Sequence, residues 1–414
     1  MIIPSIDLQN GRAVQLRQGK EHVLTDERDP IKLAQIFNRY GPVSVVDLDG
    51  AMGKGDNLEL ICQICSVAEV RAGGGIRNVE RARALLKAGA TQLVIGTAAT
   101  PEFLQNFLAE QIIVALDHRK GKLVDKGWTR QTEVTIEDRA KEVADYCSGY
   151  LCTFVEDEGG LTGMDQQEIL RLKEVLPHRL TVAGGVANTK EAIAIGRLGV
   201  EVQVGMALYT GKLDLGESVV GILDFAKVNN LMPTVVQAID GQVLMLAYSS
   251  PSSLSKALHS GKGIYYSRSR KEIWEKGLTS GNSQALVSVR MDCDRDALLF
   301  KVKQAGVACH DGRRSCFGAA SFSLNELFEI IAERMEERPD GSYVTELLKD
   351  EKLLNDKILE EAKEITVSST RENLRWECGD LIFHLAVKAS KEGLSLTDIV
   401  NELSARHKRK KGDS

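Results

Sequence analysis

The chain has 414 residues, a hydrophobic fraction of 43% and a formal net charge of −5. This length exceeds one ordinary domain and indicates two or three. The acidic balance argues against a general polyanion-binding protein, so we expect no nucleic-acid partner. The start, MIIPSIDL, lacks a basic leader region, and no apolar run approaches the roughly 18 residues of a membrane span. We therefore predict a cytoplasmic protein without a membrane partner.

The cysteine pattern does not indicate a disulfide scaffold, because eight cysteines are few for this length. Cys62 and Cys65 have a CxxC spacing, which is compatible with redox or metal chemistry. They lie in the apolar run LICQIC without a second pair nearby. We interpret them as buried helix residues.

Residues 1–227 alternate short β-branched runs with helical stretches. The strand-like runs are IIPSIDL, VSVVDLDG, EVRAGGGI, QLVIGT, IIVALDH, YLCTFVED, LTVAGGV and EVQVGM. Eight strands alternating with helices predict a (β/α)₈ TIM barrel.

The barrel segment also repeats internally. Asp7 and Asp117 lie 110 residues apart, as do Gly74 and Gly184, and Gly96 and Gly205 lie 109 apart. Each half therefore supplies an aspartate at a strand end and two Gly-rich turns. A two-fold barrel would place the aspartates opposite each other at its carboxyl-terminal mouth, where barrel enzymes carry out their chemistry.

Gly-rich turns follow strands in both halves, at GGGIR (73–77), VIGT (94–97), AGGVAN (183–188) and VGMA (204–207). Glycine lets backbone N–H groups approach a phosphate at a helix N-terminus. Each turn alone could be a tight strand-to-helix connection, but two matched pairs indicate a substrate with two phosphates. The residues expected to bind phosphate are Gly74, Gly75, Arg77, Gly96, Thr97, Gly184, Gly185 and Gly205.

Over about residues 1–225 the chain resembles the isomerase of histidine biosynthesis that converts ProFAR to PRFAR. The resemblance rests on IDLQNGRAVQLRQG, VDLDGA, GGGIR, VIGT, ALDHRKGKLVDKGW, AGGV and VGMAL. Gln15, Leu16 and Arg17 fit this isomerase rather than the sister cyclase-synthase. By position, the resemblance implies Asp7 as the general base that removes the carbon-bound proton and Asp117 as the general acid that opens the aminoaldose ring. An Amadori rearrangement needs such a pair, although a strand-end Asp is otherwise often a helix cap.

One loop departs from that family, which usually has T-x-x-x-x-D-G-T after the sixth strand. Thr153, a catalytic residue by the resemblance, is kept, but Glu158 and Gly160 stand at the usual Asp and Thr positions. Such a change could shift a substrate-positioning loop by about an ångström. Two alternatives stay open: a barrel that also accepts phosphoribosylanthranilate, and an inactive scaffold.

Residues 227–230 are predicted to form a short linker. The predicted middle domain, residues 228–318, has a β-rich pattern from Thr234 onward. The run VVQAIDGQVLMLAY has Asp240-Gly241 between two apolar segments, which predicts a hairpin.

Residues 290–317 combine three cysteines with three alternating aspartates. In an extended strand, Asp292, Asp294 and Asp296 would share one face and Cys293 would point to the other. Carboxylates suit Mg²⁺, whereas Cys293, Cys309 and Cys316 offer three thiolates to Zn²⁺ and leave the fourth position for water. The alternative is that the cysteines are core residues and DCDRD is a charged turn.

This region resembles phosphoribosyl-AMP cyclohydrolase through LMLAY (244–248), YSRSR (266–270), WEKGLTSGN (274–282), DCDRD and ACHDGRRSCF (308–317). The resemblance implies a zinc-dependent dimer in which Cys293 completes the partner subunit's site. His310 is a candidate for moving the proton, or it orients a ligand or caps a turn. The side chains expected to hold phosphate are Arg268, Arg270, Arg313 and Arg314.

From Ser323 onward the period becomes helical. Ser323 with Glu326, and Ser369 with Glu372, have the capping-box spacing. Acidic residues then recur at helical spacing on two successive helices, at Glu360, Glu361, Glu364, Glu377 and Asp380. Apposed, the two faces would form a carboxylate cage for Mg²⁺, although acidic helix faces are usually only solvated.

RPDGSYV (338–344), KILEEAKEI (357–365) and ECGDLIFHL (377–385) resemble phosphoribosyl-ATP pyrophosphohydrolase, a relative of the MazG-type pyrophosphatases. The resemblance covers residues 322–407 and implies an all-α, MazG-like domain. His384, one turn beyond Asp380, either binds phosphate or packs. We interpret the basic tail, residues 408–414, and the run HKRKK (407–411) that enters it, as a solvated helix end rather than a nucleic-acid arm.

Together the three resemblances imply three successive steps of histidine biosynthesis on phosphoribosyl nucleotides, carried in reverse order along the chain. They also imply a homodimer formed through the middle and C-terminal domains.

Overall fold

A computed structural model of the chain describes residues 1–125, 128, 130–318 and 322–406. The chain divides into two compact units. One unit contains the predicted barrel and middle domain up to Gly318, and the other is helical and ends at Leu403.

The first unit contains all the strands of the described residues. In chain order they are β1 (Ile2–Gln9), β2 (Arg12–Arg17), β3 (Glu21–Asp26), β4 (Val43–Asp47), β5 (Val70–Gly73), β6 (Gln92–Ile95), β7 (Ile112–Ala115), β8 (His118–Arg119), β9 (Lys122–Asp125), β10 (Arg130–Thr135), β11 (Gly149–Thr153), β12 (Arg179–Ala183), β13 (Glu201–Val204), β14 (Met232–Ala238), β15 (Val243–Ser249), β16 (Ile264–Ser267), β17 (Glu272–Glu275), β18 (Gln284–Met291) and β19 (Leu298–Gln304).

The α-helices of the first unit pack around these strands. They are α1 (Pro30–Asn38), α2 (Leu48–Met52), α3 (Leu58–Cys65), α4 (Val79–Lys87), α5 (Pro101–Leu104), α6 (Ile136–Val143), α7 (Gln166–Val175), α8 (Thr189–Arg197), α9 (Met206–Tyr209), α10 (Leu215–Ile222) and α11 (Pro251–Ser260).

The predicted barrel is confirmed. Its eight parallel strands follow the order β1, β4, β5, β6, β7, β11, β12, β13, and β13 pairs with β1 to close the ring. Ile2 lies opposite Val202 in the closing pair. All eight sequence runs predicted as strands form this ring.

The two halves of the barrel repeat their local structure as well as their sequence. Antiparallel strands follow the first strand of each half: β2 and β3 after β1, and β8 to β10 after β7. Asn78 caps α4 through the Arg81 N–H at 2.8 Å, and Asn188 caps α8 through the Glu191 N–H at 3.1 Å. Each cap follows a Gly-Gly turn, so the two turns lead into helix N-termini in the same way.

The middle domain has a four-stranded sheet in the order β15-β14-β19-β18 and a hairpin of β16 and β17. The antiparallel pairing of β14 with β15 confirms the hairpin predicted around Asp240-Gly241. This domain packs against the barrel end at which the strands begin. Arg39, just after α1, donates to the Leu258 carbonyl at 2.9 Å, and its own carbonyl accepts from the Val289 N–H at 2.9 Å.

The DCDRD segment differs from the prediction, because it forms the turn between β18 and β19 rather than an extended strand. Asp292 closes this turn by accepting hydrogen bonds from the Asp296 and Ala297 N–H groups at 3.0 and 3.1 Å. Arg295 has a positive φ of 64°. An aspartate that caps its own turn competes with strand geometry.

Cys62 and Cys65 lie on α3, as predicted; Cys65 is buried, whereas Cys62, also predicted to be buried, is only partly so. Burial raises the pKa of the Cys65 thiol to about 12. This pair is therefore poorly suited to thiolate chemistry.

The second unit is helical, as predicted. Its helices are α12 (Leu324–Glu337), α13 (Tyr343–Lys349), α14 (Glu351–Val367), α15 (Arg371–Lys391) and α16 (Leu396–Arg406). Ser323 caps α12 through the Glu326 N–H at 3.2 Å. The cap predicted at Ser369 is displaced by one residue, because Thr370 accepts from the Asn373 N–H at 3.1 Å.

Ile331, Leu347, Leu354 and Val387 form the centre of the small helical core. Across the described parts of the chain, no helix combines the length and apolar character needed to cross a membrane. The basic tail and the HKRKK run lie outside the described residues.

Candidate active sites

The barrel mouth carries two carboxyl groups at equivalent positions of the two halves. Asp7 lies near the end of β1, and Asp117 follows β7. The Ser5 hydroxyl donates to Asp7 Oδ1 at 2.7 Å. Burial raises the pKa of the Asp7 carboxyl to about 6, against the lowering effect of this hydrogen bond. A carboxylate with that pKa can accept a proton near neutral pH.

Asp117 is held by two side chains from different loops. The Trp128 indole donates to Asp117 Oδ2 at 2.8 Å. Burial raises the pKa of Asp117, while hydrogen bonds from Trp128 and Thr153 lower it. Thr153 thus contacts the candidate acid, whereas Trp128 and Ser5 were missed by sequence reasoning. Trp128 lies in a motif used for the family resemblance, but its hydrogen bond depends on the fold of β8 to β10.

Glu158 brings a third carboxyl group to the barrel mouth. It lines a small cavity with Gly184, Gly185 and Gly205. Burial, together with the nearby Asp7 and Asp117 carboxyl groups, raises the pKa of Glu158 to about 8. A neutral Glu158 would not repel a phosphate in this cavity, whereas an ionised one would. The altered family position therefore lies within the candidate site.

The paired Gly-Gly turns require glycine in both halves. Gly74 and Gly184 have φ values of 87° and 91°. A Cβ on Gly184 would lie 2.6 Å from the Phe154 carbonyl oxygen, and one on Gly74 would overlap the Asp47 backbone. Gly75 and Gly185, the next residues, also have positive φ. Side chains at these positions would clash with neighbouring atoms, so the turns need glycine.

The other barrel residues predicted to bind phosphate lie in different environments. Gly96 and Thr97 follow β6, and Gly205 follows β13. Arg77, by contrast, donates to the carbonyl oxygens of Gly50 and Ala51 at 3.1 and 2.6 Å. Its guanidinium is thus already used within the α2 region.

The middle domain brings two of the three candidate zinc ligands together. Cys309 is buried and Cys316 is exposed. Burial, with the neighbouring Cys309, raises the pKa of the Cys316 thiol. The Cys316 N–H donates to the Leu244 carbonyl at 2.8 Å, which ties the cysteine loop to β15. Cys293 is exposed in the turn between β18 and β19, and it is not part of this cluster.

His310 extends the cysteine cluster. Its Nδ1 lies 4.0 Å from Cys309 Sγ, and its Nε2 lies 3.0 Å from Asp311 Oδ1. Ligand atoms of Cys309, His310 and Asp311 lie within 4.8 Å of one another. These are donor types that zinc accepts, and Cys316 is not a member of this set.

The four candidate phosphate arginines of this domain differ in their surroundings. Arg268 stacks on Tyr248, 3.8 Å from the ring centroid. Arg270 pairs with Glu272 at 3.3 Å, and Arg313 pairs with Asp311 at 2.7 Å. Arg314 pairs with Asp240.

The three aspartates of DCDRD do converge, despite the turn geometry. Ligand oxygens of Asp292, Asp294 and Asp296 lie within 4.8 Å of one another. The Lys227 ammonium from the linker pairs with Asp294 and Asp296. The cluster fits a divalent cation in composition, and an internal cation contacts two of its members.

The helical unit assembles carboxylates from α14 and α15. Ligand oxygens of Glu361, Glu377 and Asp380 lie within 4.8 Å of one another. The Glu377 carboxyl group raises the pKa of Glu364, so these two also lie close together. Glu360 instead pairs with Lys357 at 2.7 Å. Raised carboxyl pKa values are expected where acidic groups crowd without a cation.

His384 packs beside this cluster. It is 4% exposed, and its Nε2 lies 3.2 Å from the Tyr343 hydroxyl. Burial lowers the pKa of the imidazole, against the raising effect of the Asp380 carbonyl. The ring is therefore a buried neighbour of the acidic cluster.

The chain combines a closed barrel that has a carboxyl pair at its mouth with a thiol-bearing domain and an acidic helical domain. This combination defines a multidomain enzyme. Family models match these segments in the same order. The histidine biosynthesis protein model matches residues 1–214, phosphoribosyl-AMP cyclohydrolase residues 245–318, and phosphoribosyl-ATP pyrophosphohydrolase residues 324–407. The chain belongs to the histidine biosynthesis protein family, with the cyclohydrolase and pyrophosphohydrolase families represented after the barrel.

Individual relatives match parts of the chain. The chain is 42% identical over 194 residues to the histidine biosynthesis bifunctional protein HisIE of Bacillus subtilis, covering 43% of this chain and 92% of that protein. It is 41% identical over 191 residues to the histidine biosynthesis trifunctional protein of Kluyveromyces lactis, covering 45% of this chain and 24% of that protein. The corresponding protein of Saccharomyces cerevisiae is 40% identical over 204 residues, covering 48% and 26%. The chain thus spans about a quarter of these two yeast relatives.

Proposed function

We propose that this protein catalyses three successive steps of histidine biosynthesis. These are hydrolysis of phosphoribosyl-ATP to phosphoribosyl-AMP and pyrophosphate, ring-opening hydrolysis of phosphoribosyl-AMP to ProFAR, and isomerisation of ProFAR to PRFAR. The observation that carries the proposal is that each of the three matched segments contains its own cluster of chemically suitable side chains. The substrates are small phosphoribosyl nucleotides, and the cytoplasm is the proposed location.

In the barrel, Asp7 would remove the carbon-bound proton and Asp117 would protonate the ring oxygen. The raised pKa values support both roles, because one group must accept and the other must donate near neutral pH. The Trp128 and Thr153 hydrogen bonds would orient the acid. The Gly-rich turns would bind the two terminal phosphates through backbone N–H groups. Retention of both carboxyl groups in the mouth argues against an inactive scaffold.

In the middle domain, Cys309 and Cys316 would hold Zn²⁺ with Cys293 of a partner subunit. Zinc supplies the acidification that makes a water molecule nucleophilic at neutral pH. His310, beside Cys309, is placed to move the proton. Arg268, Arg270 and Arg313 are exposed enough to contact substrate phosphate.

In the C-terminal domain, Glu361, Glu364, Glu377 and Asp380 would hold Mg²⁺, with Glu360 at the edge of the cluster. Magnesium supplies charge neutralisation at triphosphate oxygens. A second Mg²⁺ is proposed at Asp292, Asp294 and Asp296.

A homodimer is supported by exposed features of both domains. Cys293 is exposed and apart from the other thiols, so a partner subunit could use it. Leu359, Val367 and Trp376 in the helical domain are 69%, 70% and 70% exposed. Large apolar side chains left this exposed are compatible with an interface between subunits.

The test is a chromatographic time course of the purified protein with phosphoribosyl-ATP, Mg²⁺ and trace Zn²⁺. We expect phosphoribosyl-AMP, ProFAR and PRFAR to appear in that order. Glu364→Gln should stop the course at phosphoribosyl-ATP, Cys309→Ser at phosphoribosyl-AMP and Asp7→Asn at ProFAR. A wild-type course that stalls at ProFAR would contradict the isomerase assignment and leave the other two intact.

A further inference from the structure

His384 is buried with one ring nitrogen unsatisfied. The side chain is 4% exposed, and Nδ1 makes no hydrogen bond of good geometry among the described residues, although the ring lies close enough to the Asp380 carbonyl for that group to raise its pKa. A buried polar nitrogen loses its hydration, and this loss is costly unless a partner replaces the water. The unsatisfied atom therefore indicates a partner that is engaged in another state of the domain.

The surroundings of the ring identify that partner. Nδ1 lies 3.9 Å from Glu361 Oε1, which is too long for a hydrogen bond but within reach of a small side-chain adjustment. On the other side of the ring, Nε2 lies 3.2 Å from the Tyr343 hydroxyl. If this hydroxyl donates to Nε2, the ring proton resides on Nδ1 and faces the carboxylate.

Packing fixes the orientation of the ring. Phe383 and Tyr343 both make edge contacts with the imidazole, at centroid distances of 5.4 and 6.0 Å. His384 also lies one helical turn from Asp380 and two from Glu377 on α15, so it shares their face. Glu361 is itself buried, so only a small adjustment of its side chain is open to it.

We propose that His384 is a positioning residue for Glu361: its Nδ1–H bonds the carboxylate when a divalent cation is bound, while Tyr343 holds the ring. This inference rests on the proposed cation site of the C-terminal domain. Ligating groups are commonly oriented by such outer partners, and loss of the partner typically lowers metal affinity about 10- to 100-fold.

The experiment measures Mn²⁺ binding to the full-length protein by electron paramagnetic resonance of the free ion. Glu361→Gln first identifies which class of Mn²⁺ sites belongs to this cluster. His384→Asn and His384→Gln are then compared, because the Asn amide nitrogen occupies roughly the place of Nδ1 and the Gln amide that of Nε2. We expect His384→Gln to weaken binding about 10-fold or more, and His384→Asn to stay within about three-fold of wild type.

Each failure has a separate meaning. If Glu361→Gln removes no Mn²⁺ sites, the proposed cation site falls and the inference falls with it. If it removes a class of sites but both His384 variants bind that class like wild type, the positioning role alone is wrong. If neither His384 variant folds, Tyr343→Phe replaces them. Weaker Mn²⁺ binding with an unchanged melting temperature then supports the inference, and unchanged binding overturns it.

Discussion

Arg290 of the middle domain donates two hydrogen bonds to one oxygen of Glu69 in the barrel, at 3.0 Å from Nε and 2.7 Å from Nη2. Its Nη2 also lies 3.2 Å from Asn38 Oδ1. Glu69 immediately precedes β5, and Asn38 ends α1, so the guanidinium binds the end of the barrel where strands begin. The candidate catalytic carboxyl groups lie at the opposite end.

We expect this ion pair to contribute measurably to stability. Arg290→Leu should reduce the free energy of unfolding by about 1–2 kcal/mol, because a partly buried charged hydrogen bond is lost. Denaturant unfolding of Arg290→Leu, Glu69→Gln and the double variant would isolate the coupling. Arg12→Gln, in an exposed pair 3.6 Å from Glu27, is the matched control and should change stability by less than about 0.5 kcal/mol. If Arg290→Leu and Arg12→Gln change the free energy of unfolding equally, the contribution assigned to the Arg290–Glu69 pair is refuted.

Under the proposed function, the placement of the middle domain predicts how ProFAR would reach the barrel mouth. The barrel end that contacts the middle domain is separated from the barrel mouth by at least the length of the barrel strands, about 13 Å for four residues. If the chain has the proposed activities, we expect ProFAR released by the middle domain to reach the barrel mouth of the same chain through solvent. With labelled phosphoribosyl-AMP as substrate, added unlabelled ProFAR should dilute the label in PRFAR in proportion to its share of the pool. Label that resists dilution would mean protected transfer.

If Asp7 is the general base of the proposed isomerisation, that step should depend on pH through Asp7. A general base must be ionised, and burial moves the pKa of Asp7 up from 3.8 to about 6. The kcat/KM of the barrel step should therefore fall as pH falls through about 6. Ser5→Ala removes a hydrogen bond that lowers this pKa, so the acidic limb should move to higher pH. Asp7→Asn should lose about 100-fold or more in rate.

The control for this profile is Ser66→Ala, because the Ser66 hydroxyl donates to the Gln63 carbonyl of its own α3 region. Ser66→Ala should leave the acidic limb of the kcat/KM profile at the same pH as in the wild-type protein. A limb that stays in place in Ser5→Ala would show that another group controls the profile.

Zinc content should reveal a site shared between subunits. Cys309→Ser and Cys293→Ser should each lose zinc, measured by mass spectrometry of the metal, because each would remove a proposed thiolate ligand. Cys147→Ala, which changes a buried cysteine of the barrel, should retain zinc. If Cys293 serves the partner, a mixture of Cys309→Ser and Cys293→Ser subunits should regain up to half of the sites in each mixed dimer. If the mixture does not regain zinc, either all three thiolates belong to one subunit or Cys293 is not a zinc ligand.

Sequence alone was sufficient for the order of the barrel strands and for the equivalent placement of Asp7 and Asp117. β-branched runs alternating with helices leave few packings other than a closed parallel barrel, and the 110-residue repeat places Asp7 and Asp117 in equivalent positions. Likewise, helical spacing is enough to put Glu377 and Asp380 on one face. These features depend on local backbone geometry, which neighbouring residues largely determine.

The tertiary structure decided which residues meet across long separations. Whether Trp128 reaches Asp117, whether Glu158 lies beside the Gly184 turn and whether Lys227 pairs with the DCDRD carboxylates depend on loops folding over distant elements. Local pattern also misled at DCDRD, because Asp292 can satisfy backbone N–H groups of its own turn and so favours a bend over a strand. The docking of Arg290 on Glu69 is likewise a property of two folded surfaces, and such surfaces have no spacing signature in the chain.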